Sequence, residues 1–300
     1  MKQTEIEYTG GVAIQTQARR DRISAALYHT SENILLYIVL CLVGIITVFP
    51  FVWVFFTSFK GPADAIFSVP PQLIPQAPTF GNYVRVWNQL PVWRFYVNSI
   101  FVTFSLVVLN TLFSALAAYP LAKMKFRGRD AIFYMLLATY IVPPVLTSIP
   151  GFYLAVRVFH YYDKVSSVIF PYLATVLNIF LLRQAFRSVP DDLIDAGRMD
   201  GASELRIWWS IVMPVIRPSL ATVSIITFVE QWNNFFWPSL MLHTRENMTL
   251  QVGLVALQGA FANDQRGIAA GIVMTVIPII IFFVLLQKQF IQGLTGAVKG

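Results

Sequence analysis

Residues 190–218, PDDLIDAGRMDGASELRIWWSIVMPVIRP, are the only long polar interruption between two hydrophobic halves of the chain. Of the 300 residues, 56% are hydrophobic and 12% are charged, whereas ordinary soluble domains contain about 25% charged residues. This composition predicts an integral membrane protein. The role of the polar segment therefore decides how the rest of the chain is interpreted.

The apolar stretches that flank this segment are long enough to cross a bilayer core of about 30 Å as helices that rise 1.5 Å per residue. We predict an all-α integral membrane protein with six transmembrane helices at about residues 34–56, 95–122, 131–150, 165–182, 219–242 and 267–287. The pair Pro143-Pro144 lacks two backbone donors and predicts a kink or break in the third span.

The basic residues predict the orientation of the chain. Of the 22 Lys and Arg residues, 15 fall on the side of the two termini and seven on the other side. Four of the 15 form a dense cluster after the second span, at Lys123, Lys125, Arg127 and Arg129. Because cytoplasmic loops are enriched in Lys and Arg, we expect a cytoplasmic tail at 1–33, one membrane domain at 34–292 and a cytoplasmic tail at 293–300.

Several classes of function lack support in the sequence. The one cysteine, Cys41, lies in an apolar run, and the three histidines occupy separate polar segments without metal-ligand spacing. There is no Walker motif, no GxGxxG and no charged pair suited to acid–base chemistry, so we expect no enzyme and no cofactor in this chain. The net charge of +7 reflects orientation, and nucleic acid is not an expected partner.

The first half of the polar segment predicts a short helix and a turn. Pro190 lacks the N–H that a first helical residue cannot use, and Asp191 and Asp192 favour the positive end of the helix dipole. The pair Asp200-Gly201 is a turn signal, in which glycine permits a positive φ and Asp200 can cap the following helix.

The second half predicts a helix with one apolar face, formed by Leu205, Trp208, Trp209 and Val212. Pro214 and Pro218 are expected to end it. Such a hairpin can rest on the bilayer surface or dock on a soluble partner. The loop 183–217, which includes this segment, contains five acidic and five basic residues, a balance that slightly favours a protein partner over anionic lipid.

These residues also carry a resemblance to a known family. Asp195-Ala196-Gly197 stands at the Glu-Ala-Ala position of the EAA loop of ABC importer permeases, Gly201 at its glycine and IVMP at its Ile/Leu-x-Leu-Pro ending. Further similar elements are RQAFRSVP, QWNNFFWPSL, TLQVGL and GLTGAVKG. Together they resemble the carbohydrate-uptake branch, and within it the second of the two permeases.

The resemblance implies that residues 190–218 are a coupling loop that sits in a cleft of an ATPase subunit. The implied contact residues are Asp195, Ala196, Gly197, Asp200, Gly201, Ala202 and Pro214. Asp195 would pair with a basic residue of the ATPase, although it is one methylene shorter than the usual glutamate. Gly197 replaces an alanine, which costs the helix about 1 kcal/mol of propensity.

The resemblance also implies the rest of the assembly. The C-terminal tail, including Gly293, Lys299 and Gly300, would enter the interface between two ATPase subunits. Those two copies would bind ATP and Mg, a second homologous permease would complete the membrane part, and an extracytoplasmic binding protein would deliver the solute. The expected location is the plasma (inner) membrane of a bacterium or archaeon.

Polar residues inside the fifth span are candidates for the translocation pathway. Glu230, Asn233 and Asn234 lie near its middle, where a charge costs at least ~2.5 kcal/mol on insertion scales and should face protein or water. They can bind a hydroxyl-rich solute or pack between helices. We expect a permease that moves a sugar or related polyhydroxylated solute by alternating access; the alternatives are a glycerol-phosphate, polyol or peptide permease, an ATPase-independent transporter or channel, and a membrane enzyme.

Overall fold

The computed structural model describes residues 33–34, 36–68, 72–261 and 264–298, with side chains as far as residue 284. The described ranges are predominantly helical and contain no strand, so the all-α prediction is confirmed. All but the last residue of the predicted tail 1–33 lie outside the described residues, as do Lys299 and Gly300. The chain divides into two compact units, residues 1–56 and 57–300.

Helix α1, Leu36–Phe59, makes up nearly all of the described part of the first unit and ends just past its boundary. Its apolar side chains are exposed along its length, as at Ile45, Ile46 and Phe51. A helix that is apolar on all sides and unburied needs lipid or another apolar surface around it.

The second unit is a bundle built around one long helix. Its helices are α2 (Gly81–Gln89), α3 (Val92–Lys123), α4 (Arg129–Tyr140), α5 (Pro144–Tyr153), α6 (Ser166–Ile169), α7 (Val176–Arg187), α8 (Asp191–Met199), α9 (Glu204–Ile207), α10 (Met213–Val215), α11 (Arg217–Trp232), α12 (Phe236–Met241), α13 (Leu250–Ala260) and α14 (Gln265–Val298). Helix α3 packs along α7 and α11, and α11 and α13 pack against α14. The long apolar helix α3 therefore occupies the centre of this unit.

The number of membrane spans depends on how the bent helices are counted. Three segments of the described chain are long and apolar enough by themselves: α1, α3 and Gln265–Val284 of α14. Three further pairs qualify only when both members are taken together: Arg129–Tyr140 with Pro144–Val158, Ser166–Tyr172 with Val176–Arg187, and Glu204–Val215 with Arg217–Trp232. The upper count is six, and the six-span arrangement stays a prediction.

The third predicted span is broken where its proline pair stands. Helix α4 ends at Tyr140, Pro143 is extended with ψ 132°, and Pro144 opens α5. The two helices meet at an angle of 98°. The missing N–H groups and the steric restriction before a proline explain the break, which the sequence predicted.

Two further breaks differ from the uninterrupted spans that we predicted. The fourth span bends by 46° between Ser166–Tyr172 and Val176–Arg187, next to Pro171 and an extended Thr175 with ψ 145°. In the fifth, α11 ends at Trp232, and the side chain of the C-cap residue Asn233 donates back to the Val229 carbonyl at 2.8 Å. Such side-chain bonds compete with the helix ladder, and Pro238 lacks the N–H that would continue it.

A buried polar cluster joins the three central helices. The Asn178 amide of α7 donates to Asn110 Oδ1 on α3 at 2.6 Å and to Thr227 Oγ1 on α11 at 2.8 Å. The Asn110 amide donates to the Tyr172 carbonyl at 2.7 Å, and the Ser114 hydroxyl to Asn110 Oδ1 at 3.2 Å. Because an unpaired polar group is costly in an apolar interior, these bonds fix the relative register of α3, α7 and α11.

Candidate functional site

The segment 190–218 folds as a helical hairpin, and its first helix begins where the sequence predicts. Pro190 is the N-cap of α8, Asp191 and Asp192 fill the first turn, and Arg198 lies in the last turn. Charges of these signs complement the helix dipole at each end. Local signals alone therefore account for the existence and the length of this helix.

Gly201 forms the corner between α8 and α9. Its φ is +76°, the Ala202 N–H bonds to the Gly197 carbonyl at 3.0 Å, and the Gly201 N–H bonds to the Arg198 carbonyl at 3.0 Å. This pair of bonds defines a Schellman motif, which requires the left-handed conformation that glycine adopts readily. The prediction that Asp200 caps the next helix is wrong, because Ser203 caps α9 and accepts the Arg206 N–H at 3.4 Å.

Gly197 is the point of closest approach between the two arms of the hairpin. A Cβ at this position would lie 2.7 Å from Ile211 Cδ1 and 3.1 Å from Ile207 Cγ1. Both distances are shorter than ordinary van der Waals contact. The departure from alanine that the sequence showed here thus has a packing reason, which offsets the low helix propensity of glycine.

Only two of the four residues predicted to form the apolar face of the second helix are buried. Trp208 and Val212 are buried together with Ile207, but Leu205 and Trp209 are 65% and 61% exposed. Residues 208–212 form a π turn, which inserts an extra residue and rotates the face. The helix continues through Pro214 and ends at Val215, between the two prolines that we expected to end it.

The buried side of the hairpin packs on the chain's own bundle. Ile194 and Ile207 share an apolar cluster with Tyr119 of α3, Phe133 of α4 and Phe186 of α7. The apolar face therefore lies on protein. On the opposite side, exposed apolar side chains remain at Leu193, Met199 and Leu205.

Asp195, the predicted ATPase contact, lies on the exposed side of α8. Its carboxylate accepts a hydrogen bond from Arg198 at 3.0 Å, and 64% of its side chain is exposed. Ala196 and Asp200 are exposed near the end of α8, Gly201 is exposed at the corner, Pro214 is exposed in α10, and Ala202 is half-buried. The predicted contact residues other than Gly197 and Ala202 thus reach the surface, and their contact with an ATPase stays a prediction.

Both ends of α8 are bonded to α3. Lys123 Nζ donates to the Val189 carbonyl and to Asp191 Oδ1, each at 2.6 Å, and this ammonium holds the pKa of Asp191 below its usual range. At the other end, the Tyr119 hydroxyl donates to Glu204 Oε2 at 3.0 Å, and Arg198 Nε donates to Glu204 Oε1 at 2.8 Å.

Sequence reasoning did not assign a role to these residues of α3. Lys123 stood out only as part of the basic cluster. Tyr119 and Glu204 are 85 positions apart, and no local pattern links them. Arg183 was also missed: it donates to the Leu121 carbonyl at 3.0 Å and to Asp130 at 3.2 Å, and it lies 3.8 Å from the centre of the Phe133 ring.

The predicted pathway residues cluster at the end of α11. Glu230 and Asn233 are exposed and Asn234 is half-buried. The Asn234 amide donates to Gln231 at 3.2 Å, and its side chain lies close to the Tyr172 hydroxyl. These contacts place Asn234 beside the wall of the cavity described next.

A cavity of about 760 Å³ opens between α5, α6 and α12. Its lining includes aromatic rings and hydroxyl groups, among them Thr147, Ser148, Tyr161, Tyr172, Phe236 and Trp237. Trp237 is held by its indole N–H, which donates to the Ser167 carbonyl at 3.1 Å. Aromatic faces and hydroxyls are groups that can contact a solute with apolar ring faces and polar edges.

No group of three or more His, Cys, Asp or Glu in the described ranges is placed to hold a metal ion. Gly293 lies within α14, which continues to Val298, and Lys299 and Gly300 lie outside the described residues. The proposed contact of this tail with an ATPase stays a prediction.

The bundle, its apolar helices and its packed polar hairpin define a polytopic helical membrane protein. A family described as "binding-protein-dependent transport system inner membrane component" matches residues 110–296, so the chain belongs to this family. The resemblance to ABC importer permeases of the carbohydrate branch is confirmed, and the protein is a membrane protein.

Two relatives and one solved structure illustrate the likeness. The arabinooligosaccharides transport system permease protein AraQ of Halalkalibacterium halodurans is 33% identical over 89% of this chain and 96% of its own length. The diacetylchitobiose uptake system permease protein NgcG of Streptomyces coelicolor is 30% identical over 91% of this chain and 88% of its own. A chain in the crystal structure of a bacterial ABC transporter involved in the import of the acidic polysaccharide alginate superposes with a TM-score of 0.75, at 28% identity, covering 85% of this chain and 95% of that chain.

Proposed function

We propose that this protein is a membrane-spanning permease subunit of an ATP-driven importer and that it translocates a sugar or related polyhydroxylated solute by alternating access. The observation that carries the proposal is the hairpin α8–α9. Its inner face packs on the bundle, while Asp195, Met199 and Leu205 remain exposed on its outer face. A docking element needs a packed inner face and an exposed outer face, because it must be attached to the membrane bundle and also reach its partner.

The assembly that follows contains a second homologous permease, two ATPase subunits and an extracytoplasmic binding protein. ATP and Mg are bound by the ATPase subunits, and this chain performs no hydrolysis itself. The excess of Lys and Arg on the hairpin side supports cytoplasmic termini and a cytoplasmic coupling loop in six spans.

A sugar is the solute class that the relatives and the cavity favour together. The named relatives transport arabinooligosaccharides and diacetylchitobiose. The cavity of about 760 Å³ offers Tyr172 and Trp237 beside the hydroxyls of Thr147 and Ser148. Asn234 lies next to Tyr172, and with Glu230 and Asn233 it supplies polar groups at the neighbouring helix break.

Reconstitution tests this function. The chain is purified with its neighbouring permease, ATPase and binding protein, and the assembly is placed in liposomes. Uptake of radiolabelled arabinotriose, diacetylchitobiose and raffinose is compared with that of glycerol 3-phosphate and a tripeptide. We expect uptake of an oligosaccharide that requires Mg-ATP and binding protein. Uptake of only glycerol 3-phosphate or the tripeptide would show that the solute is not a sugar. Transport by this chain alone would overturn the proposal that it is a subunit of an ATP-driven importer.

A further inference from the structure

The cytoplasmic end that we propose for α3 holds the coupling hairpin at two points. Lys123 and Tyr119 are four residues apart and therefore lie on the same face of the helix. Lys123 binds the start of α8 through the Val189 carbonyl and Asp191. Its side chain is only 7% exposed, so this contact is part of the packed interface.

The second point of attachment runs through Glu204. One carboxylate oxygen accepts the Tyr119 hydroxyl at 3.0 Å, and the other accepts Arg198 Nε at 2.8 Å. Tyr119 is 4% exposed, and its ring packs edge-on against Phe186 at 5.6 Å between centroids. Glu204 thus joins the last turn of α8 to a side chain that is itself fixed on α3.

The covalent route from the hairpin into the membrane is less direct. Between Glu204–Val215 and Arg217–Trp232 the chain turns by 84°, and it passes through the π turn at 208–212 and a non-helical Ile216 with ψ 16°. Breaks of this kind are sites where helices flex. By contrast, α3 is one helix of 32 residues that is bonded to α7 and α11 through Asn110 and Asn178.

We propose that Tyr119, Glu204 and Arg198 are positioning residues that make α8 and α3 move together, so that a displacement of α8 reaches the bundle through α3. This inference rests on the proposed function, in which an ATPase displaces α8. Glu204 is the central member because both of its oxygens are used, each by a different partner. Loss of either bond leaves α8 held to α3 by the hydrogen bonds of Lys123 and by apolar packing.

The test uses the complete reconstituted assembly and two variants. Tyr119→Phe removes one hydroxyl and keeps the ring that packs on Phe186. Glu204→Gln keeps the size of the side chain but replaces one acceptor oxygen with a donor. The matched control is Tyr134→Phe, because Tyr134 is a 67% exposed tyrosine on α4. Gel filtration checks that each variant assembles. If Glu204→Gln does not assemble, Tyr119→Phe alone is enough to test the proposal.

Two measurements report on the linkage. The first is Mg-ATP hydrolysis with and without binding protein; we expect its stimulation to fall about fivefold or more in both variants, with unstimulated hydrolysis retained. The second is the distance between spin labels at Asp192→Cys and Val108→Cys, both at exposed positions, in a Cys41→Ser background. In the parent assembly we expect the same narrow distribution of label distances with and without Mg-ATP. In the two variants we expect the distance distribution to broaden or shift when Mg-ATP is added.

The double variant separates a shared link from general damage. If the two residues act through the same bond, Tyr119→Phe combined with Glu204→Gln is no worse than Glu204→Gln alone. Variants that match the parent in both stimulation and label distance overturn the linkage and leave the proposed function standing. A parent assembly that shows no stimulated hydrolysis overturns the proposed function and the linkage with it.

Discussion

At the scale of single residues, the two glycines of the hairpin α8–α9 serve different purposes. Gly201 adopts a φ of +76°, and a Cβ at this position would meet no atom within 4 Å, so glycine is required here by the backbone. Gly197 lies within α8, where a Cβ would come within 2.7 Å of Ile211 Cδ1, so glycine is favoured there by packing. Substitutions at these two positions should therefore have different effects, and different second substitutions should compensate for them.

Gly201→Asp should abolish ATP-driven uptake while membrane insertion stays intact. The left-handed conformation costs an L-residue about 1–2 kcal/mol, which strains the corner without unfolding the bundle, and the new charge stands on the proposed docking surface. Gly201→Asn should retain more uptake than Gly201→Asp, because Asn tolerates this conformation and adds no charge. Uptake by the reconstituted assembly and membrane content by immunoblot are the measurements.

Gly128 supplies the control for this prediction. It also has a positive φ, +85°, with nothing within 4 Å of a Cβ placed there, but it lies in the turn before α4. Gly128→Asp should therefore impose a similar backbone strain and leave uptake largely unchanged. Equal loss of uptake in both variants would show that strain alone, and not the position of Gly201, is responsible.

Gly197→Ala should destabilise the hairpin even though alanine is the better helix former. Overpacking costs about 1–3 kcal/mol, against a gain of about 1 kcal/mol in helix propensity, so a net loss on the order of 1 kcal/mol is expected. Ile211→Val removes the Cδ1 atom that the new methyl would meet, and the double variant should recover part of the loss. Thermal unfolding of the purified assembly gives the comparison; strictly additive effects of the two changes would contradict the contact.

At the scale of elements, hydrogen bonds of one aspartate side chain hold together two connections between helices. Asp163, in the connection before α6, accepts bonds from the His243 N–H at 2.7 Å, the Thr244 N–H at 3.1 Å and the Thr244 hydroxyl at 2.7 Å. Its own N–H donates to the Met241 carbonyl at 2.9 Å. One aspartate thus fastens the end of α12 to the start of α6.

This tie should weaken in acid. Burial raises the pKa of the Asp163 carboxyl, but the hydrogen bonds from His243 and Thr244 outweigh it and hold the pKa below the ordinary 3.8. A carboxyl with a depressed pKa adds stability that is present above its unfolded pKa and is lost as the pH falls through its folded pKa. We expect faster amide exchange at residues 243–244 below about pH 4, after correction for intrinsic rates.

Asp163→Asn provides the control for the acid prediction. Asn tolerates the positive φ of 54° at this position but carries no titratable group. In this variant the 243–244 amides should exchange faster at neutral pH and show no further loosening in acid. An acid response that persists in the variant would assign it to another group.

At the scale of the whole molecule, local signals predicted more than long-range ones. The start of α8, the corner at Gly201 and the break at Pro143-Pro144 follow from properties of the residues that stand there. The π turn at 208–212 was not predicted, because a one-residue insertion changes the helical face and leaves no mark in the hydrophobic pattern. The Tyr119–Glu204 bond depends on tertiary folding and could not be predicted from one sequence.

The orientation of the chain is the prediction that concerns the whole molecule. The excess of Lys and Arg predicts that the hairpin lies in the cytoplasm and the connection after α12 on the other side. In a Cys41→Ser background, Met199→Cys should react with a membrane-impermeant maleimide only in inside-out vesicles. Glu246→Cys should react only in intact cells or spheroplasts.

This result requires an odd number of crossings between residues 199 and 246, which α11 and α12 supply if together they form one span broken at Asn233. Labelling of both cysteines from the same side would require the segment to enter and leave by one face, and α11 would then be re-entrant.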